Sequence, residues 1–150
     1  LEKALLIYEN HYGKQHNRTA RVYIYLGSIY RNIGDYAKAK NLLENGLRIY
    51  QNNYGNDHID TARAQAYLGS NDKNIGNFKR AQELLEQALV IYKEYYGSDH
   101  NQTAWIQARL GNLYGSIGNY DKARVLLEQS LKLYLKHNLL HMFSDFGCFS

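Results

Sequence analysis

Apolar residues recur three and four positions apart along most of the chain, in stripes separated by short polar segments that contain glycine. This spacing places side chains on one face of a helix, so each stripe predicts an amphipathic α-helix. One such stripe consists of Tyr36, Ala39, Leu43, Gly46, Leu47 and Tyr50. The pattern therefore predicts an all-α protein.

Glycines and helix-capping residues set the expected boundaries of these helices. Each glycine that suits a chain reversal precedes a residue that commonly caps a helix start. The pairs are Gly34 and Asp35, Gly76 and Asn77, Gly118 and Asn119. Helices that start after these pairs are expected near 36–53, 78–95 and 120–136. The preceding helices are expected to begin near residues 18, 60 and 102, and each should end at the residue before the glycine.

The whole pattern repeats every 42 residues, which predicts stacked units rather than one mixed core. The aligned positions include Leu1, Leu43, Leu85 and Leu127. A polar nonapeptide also recurs, as YGKQHNRTA at 12–20, YGNDHIDTA at 54–62 and YGSDHNQTA at 96–104. Because this loop returns in every unit between one helix pair and the next, we interpret it as a structural joint.

Several motifs resemble the tetratricopeptide repeat. They are Leu26-Gly27-x-x-Tyr30, Gly34-Asp35-Tyr36 and Ala39-x-x-x-Leu43, and then Leu110-Gly111-x-x-Tyr114 with Ala123-x-x-x-Leu127. The 42-residue period is similar to that of the longer variant found in the kinesin light chain family. The resemblance implies an α-α superhelix, a right-handed solenoid of antiparallel helix pairs. Its implied extent is residues 1–137, with a truncated unit at 1–12 and full units at about 13–54, 55–96 and 97–137.

Two features depart from the family pattern. The proline that commonly follows the histidine in this variant is replaced by Asn17, Ile59 and Asn101. Asp72 stands where tyrosine is expected, and it shares the apolar stripe of its helix with Gln65 and Asn71. Burying a carboxylate without a partner is costly. We therefore expect Asp72 to reach solvent or a basic neighbour, and the second unit to be locally weaker.

Residues 138–150 lie beyond the repeat and are rich in apolar side chains. These are Leu139, Leu140, Met142, Phe143, Phe146 and Phe149. A free tail rarely carries that much apolar surface, so this tail is expected to cap the last unit, with self-association as the alternative. Leu1 enters halfway through a repeat, which predicts that the sequence is a segment of a longer protein.

The composition is that of a globular protein, with 45% hydrophobic and 21% charged residues. The single cysteine, Cys148, excludes an internal disulfide framework and favours a reducing compartment, so a cytoplasmic location is expected. No apolar run reaches the roughly 18–20 residues that cross a bilayer, so no membrane association is expected.

The recurring histidines raise the question of a metal site, because Asp57 and Asp99 directly precede His58 and His100. Equivalent residues of stacked units lie at least roughly 8–10 Å apart, whereas zinc ligands lie about 2 Å from the ion. Neither a metal nor another cofactor is therefore expected. The sequence shows no glycine-rich phosphate loop and no nucleophile beside a base, so the protein is not expected to be an enzyme.

A second stripe on the first helix of each unit faces the concave groove of the solenoid, as the resemblance implies. The candidate groove residues are Arg21, Tyr25, Arg31, Arg63, Tyr67, Lys73, Trp105, Arg109 and Asn112. Five of them are cationic and none is acidic, and arginine presents forked donors to carboxylates. The sequence therefore predicts a scaffold or adaptor that binds another protein through an acidic peptide. The alternatives are solvated arginines without a partner, a nucleic-acid-binding repeat, and a structural or self-associating segment of a larger regulatory protein.

Overall fold

The computed structural model describes residues 2–146, and it describes side chains for residues 2–140. This part of the chain forms seven α-helices and contains no strand. The helices are α1 (Glu2–Tyr12), α2 (Asn17–Asn32), α3 (Tyr36–Tyr54), α4 (Ile59–Asn74), α5 (Phe78–Tyr96), α6 (Asn101–Ser116) and α7 (Tyr120–Phe146). The all-α prediction is confirmed. We call α2, α4 and α6 the first helices of their units, and α1, α3, α5 and α7 the second helices.

The expected helix boundaries agree with the observed ones to within one residue, except at the end of α7. The repeat predicts an end near residue 136 for that helix, but it continues to Phe146. This expectation is wrong because the first glycine after Lys136 is Gly147, so no helix-terminating residue interrupts the segment.

The extension of α7 carries the segment that was expected to cap the last unit. Leu139 and Leu140 are 53% and 57% exposed there, so these two side chains do not cover the end of the array. The other apolar residues of the segment, and Cys148, lie outside the side chains that the structure describes. A capping or self-associating role for the tail stays a prediction.

Each helix pair closes through a tight turn at a glycine with positive φ. At the first turn Gly34 has a φ of 87°, and the backbone N–H of Asp35 donates to the carbonyl oxygen of Tyr30 at 2.9 Å. The Asp35 carboxylate then accepts from the N–H of Lys38 and caps α3. Asn119 caps α7 in the same way, whereas the Asn77 side chain makes no capping hydrogen bond, contrary to expectation.

The recurring nonapeptide is a joint built from three side chains. The imidazole Nδ1 atoms of His16, His58 and His100 each accept a hydrogen bond at 3.1 Å from the backbone N–H two residues later, and so cap the first helices. The rings stack on Tyr12, Tyr54 and Tyr96, with centroids 5.1, 4.0 and 4.6 Å apart. The hydroxyls of Thr19, Thr61 and Thr103 donate to the carbonyl oxygens of Gly13, Gly55 and Gly97 at 2.8, 2.8 and 2.7 Å. The prediction of a structural joint is confirmed, and the histidines are helix caps.

Helices pack on their immediate neighbours along the chain, and α4 also contacts both α2 and α6. Within residues 2–146, the second helices do not pack closely on one another, although ion pairs join neighbouring ones, Lys38 of α3 to Glu2 of α1 and Arg80 of α5 to Glu44 of α3. The three first helices therefore lie side by side on the inner, concave side of the stack. This arrangement brings the candidate groove residues onto one continuous surface.

Close approach of the helices within a unit depends on glycine. A Cβ on Gly27 would lie 2.6 Å from Leu43 Cγ, closer than a carbon contact allows, and Leu43 is fully buried. The apolar core is divided into two clusters, one around Leu43 and Leu68 and one around Leu85 and Leu113. Cohesion therefore comes from contacts within a unit and with the next unit, as in other repeat arrays.

The three polar residues on the apolar stripe of α4 lie in the core of the second unit. Gln65 is 4% exposed, and Asn71 and Asp72 are fully buried. Asp72 does not reach solvent, but its Oδ2 lies 3.4 Å from the Arg80 Nε, so the expected basic neighbour is present. Burial raises the pKa of the Asp72 carboxyl in spite of this cation. The Asn71 amide donates to the carbonyl oxygen of Tyr36 at 3.1 Å and so ties α4 to α3.

Candidate functional site

Two cavities open on the concave side, and seven of the nine candidate residues line them. The basic cavity, of about 340 Å³, is lined by Arg31, Lys73, Arg109 and Asn112 together with Asn32, Tyr36, Ser70 and Asn74. The aromatic cavity, of about 310 Å³, is lined by Arg63, Tyr67 and Trp105 together with Tyr92, Asn101, Gln102 and Tyr134. Arg21 and Tyr25 line neither cavity, although both are exposed on α2.

Side chains that line the basic cavity stack on side chains that line the aromatic cavity. The Tyr67 and Trp105 rings meet edge to face, with centroids 5.4 Å apart. The guanidinium carbon of Arg109 lies 4.1 Å from the centroid of Trp105 and 5.5 Å from that of Tyr67. Arg31 approaches Tyr67 to 5.8 Å. Each guanidinium therefore rests against an aromatic face, which orients it and attracts its charge.

The Arg109 guanidinium is also fixed by a hydrogen bond across the first helices. Its Nη1 donates to the Ser70 Oγ at 2.7 Å, and the Ser70 hydroxyl donates in turn to the carbonyl oxygen of Ala66 at 2.8 Å. The Arg109 Nε is buried and has no acceptor among the described groups. A guanidinium has five N–H donors, so this one keeps donors for a ligand.

The cations of the basic cavity have no carboxylate partner among the described side chains. Arg31, Lys73 and Arg109 form no ion pair there, and the charged group of Arg31 donates only to the neighbouring Asn32 amide oxygen at 3.0 Å. Burial, followed by the nearby charge of Arg31, lowers the pKa of Arg109 to about 10. The group still carries its charge at neutral pH, so the cavity is strongly electropositive.

Arg63 differs from the other groove cations, because its Nη1 lies 3.1 Å from the Asp60 carboxylate. Asp60 lies in the first turn of α4 and was not among the candidate residues. Its i to i+3 spacing from Arg63 on one helix is the sequence signal that could have identified this pair. The free positive charge of the groove is therefore concentrated in the basic cavity.

Tyr92 and Tyr134 are groove residues that the sequence did not identify. They belong to the second helices α5 and α7, and their 42-residue periodicity indicates packing. Tyr92 is buried against Trp105, with ring centroids 6.1 Å apart. Their approach to the groove residues of the first helices is a tertiary contact, so it could be found only once the stacking was known.

No group of three or more His, Cys, Asp or Glu side chains in the described part of the chain is arranged to hold a metal ion. Each helix within residues 2–146 is also too short or too polar to cross a lipid bilayer.

Comparisons with known proteins agree with this architecture. The tetratricopeptide repeat profile matches residues 1–52, 24–93 and 71–136. Among curated proteins, none matches the chain significantly. BtubC (BKLC) from P. vanneervenii shares the fold, with a TM-score of 0.77 at 21% identity over 91% of this chain and 55% of that protein.

Two structures of a putative kinesin light chain from Podosopora anserina, with nearly identical TPR-like repeats, are also similar. One of them, a point variant, has a TM-score of 0.72 and the other has 0.69, each at 25% identity over 91% of this chain. These matches cover 65% and 64% of that protein, so the present chain spans less than two thirds of its length. Since the repeat profile matches most of the sequence, the chain belongs to the tetratricopeptide repeat family, in a form with kinesin light chain-like repeats.

Proposed function

We propose that the chain binds an acidic segment of a partner protein along the concave face formed by α2, α4 and α6. Tetratricopeptide repeats generally mediate protein–protein interactions, and the family is generally not enzymatic. The observation that carries the proposal is the basic cavity, where Arg31, Lys73 and Arg109 have no acidic partner among the described residues. An acidic peptide would supply the missing carboxylates.

One donor of the basic cavity, Arg109, is held in place before a ligand binds. Arg109 is fixed by Ser70 and by the faces of Tyr67 and Trp105, so little side-chain entropy is lost when a carboxylate binds. Hydrogen bonds to charged groups contribute about 1.5–3 kcal/mol each. The aromatic cavity beside these donors offers flat apolar contact area for neighbouring residues of the same peptide.

The test measures binding of a fluorescein-labelled hexaglutamate peptide by fluorescence anisotropy. Arg109→Gln removes a fixed donor, and we expect affinity to fall by about tenfold, since about 1.4 kcal/mol corresponds to a factor of ten. Arg21→Gln is the matched control, because this arginine lies on a first helix but lines neither cavity. Circular dichroism of each variant checks that the helices remain folded.

Three results would contradict the proposal. They are peptide affinity that is unchanged in Arg109→Gln, an equal loss in Arg21→Gln, and no binding by the parent protein at physiological salt. Labelled oligouridylate RNA serves as a competing probe. Tighter binding of this RNA than of the peptide at physiological salt would favour the nucleic-acid alternative.

A further inference from the structure

The basic cavity takes one cation from each of three successive units. Arg31 lies on α2, Lys73 on α4 and Arg109 on α6, and all three line the same cavity of about 340 Å³. The cavity also has an amide side chain from each unit, namely Asn32, Asn74 and Asn112. No acidic side chain of the described residues lines it. The site therefore exists only when three units are stacked, and it is built for negative charge.

The charge of the cavity exceeds what one carboxylate can balance. Three cations face a common space, and the charge of Arg31 already disfavours the charged form of Arg109. A single carboxylate contributes one negative charge and two acceptor oxygens. A phosphate monoester contributes about 1.5 to 2 negative charges and three acceptor oxygens.

The donor geometry also matches a phosphate better than a carboxylate. Arg109 retains N–H donors beyond the one used by Ser70, and the Arg31 guanidinium uses only one for Asn32. The three terminal oxygens of a phosphate monoester point in three directions, so donors from three helices can each reach a different oxygen. A carboxylate is planar and has only two oxygens to offer. Arginine forks and a lysine point charge are the side chains that commonly recognise phosphate.

We infer that the basic cavity binds the phosphate monoester of a phosphorylated serine or threonine in the partner protein. This inference rests on the proposed function of the groove. It names a phosphate monoester as the group that the basic cavity prefers. A phosphodiester carries one negative charge per phosphate, so a nucleic-acid backbone would balance the cavity less completely. Binding would then depend on phosphorylation of the partner.

The test uses three labelled peptides that are identical and acidic except at the central residue, which is serine, glutamate or phosphoserine. We expect the phosphoserine peptide to bind about tenfold more tightly than the glutamate peptide, as one added charge-assisted hydrogen bond would produce. Lys73→Gln should remove most of this advantage while leaving the glutamate peptide within about threefold of its parent affinity. Arg21→Gln should preserve the advantage.

Equal affinity for the phosphoserine and glutamate peptides would overturn the inference but leave the proposed function standing. An advantage that survives in both Lys73→Gln and Arg31→Gln would also overturn it, because the phosphate would then lie elsewhere. If neither the glutamate peptide nor the phosphoserine peptide binds, the proposed function fails.

Small probes test the cavity separately, using the fluorescence of Trp105, which is the only tryptophan and lies against Arg109. Saturable binding of N-acetyl-phosphoserine amide, stronger than that of dimethyl phosphate or acetate, would support the inference. Inorganic phosphate that binds as tightly as the phosphoserine peptide would contradict a protein source of the ligand. No response to any phosphate monoester would overturn the site itself.

Discussion

The histidine of each joint caps a helix, and this assignment predicts a measurable loss of stability when His58 is changed. In the structure the His58 Nδ1 accepts from the N–H of Asp60 at 3.1 Å, and the ring stacks on Tyr54 with centroids 4.0 Å apart. His58→Ala removes both interactions. His58→Asn removes the stacked ring but keeps an acceptor that commonly caps helices.

The two interactions have separate expected magnitudes. Loss of a helix cap costs about 0.5–2 kcal/mol, and loss of an aromatic stack costs about 0.5–1.5 kcal/mol. We therefore expect His58→Ala to lower the free energy of unfolding by about 1–3.5 kcal/mol, the sum of these ranges. His58→Asn should lower it by only the stacking part, about 0.5–1.5 kcal/mol.

Urea unfolding followed by circular dichroism measures these differences at constant pH. Glu83→Ala is the control, because Glu83 is exposed on α5 and forms no side-chain hydrogen bond or ion pair among the described residues, so its effect should stay within about 0.5 kcal/mol. Thermal unfolding should show the same order, with about 2–4 °C lost for each kcal/mol in a chain of this size. Equal destabilisation by His58→Asn and His58→Ala would refute the capping role of His58. A negligible effect of both would refute its role in stabilising the joint.

Two further predictions concern the core. Gly27→Ala should lower the free energy of unfolding by about 1–3 kcal/mol in urea, because the added methyl group overlaps buried Leu43. Gly115→Ala should instead be neutral or stabilising by up to about 1 kcal/mol, because the nearest atom to the added methyl group would be 3.9 Å away. Equal effects of the two substitutions would contradict the close helix packing at Gly27. Asp72→Asn should stabilise the protein at pH 7, because burial raises the pKa of this carboxyl and the folded state holds its proton more tightly than the unfolded state does. For the same reason, the free energy of unfolding of the parent protein should decrease as pH rises through that pKa. The stability advantage of Asp72→Asn should therefore shrink on acidification. An advantage that does not change with pH would contradict this cause.

The fold was predictable because the same local signals recur in each unit. Glycines with positive φ and polar caps fix the helix ends to within a residue, and the apolar stripes identify the buried faces. The end of α7 could not be predicted from the repeat, because no periodic signal continues beyond residue 137. The cost of burying a carboxylate predicted solvent or a basic neighbour for Asp72, but the identity of that neighbour, Arg80 on the next helix, is a tertiary contact.

The candidate site was predictable only in part. The resemblance placed seven of the nine candidate residues at the two cavities, because equivalent positions in stacked units share one face. The pairing of Arg63 with Asp60 and the stack of Arg109 on Trp105 depend on side-chain conformations that a periodic pattern does not specify. Those contacts decide which cations remain free for a ligand.

The most direct measurement of the central claim is chemical-shift mapping by NMR with the acidic peptide bound to isotopically labelled protein. The concave-groove account predicts that the largest shifts fall on α2, α4 and α6, and that they include the Arg31 and Arg109 guanidinium N–H groups and the Trp105 indole. Shifts confined to the outer faces of α3 and α5, or the absence of any saturable shift, would contradict it.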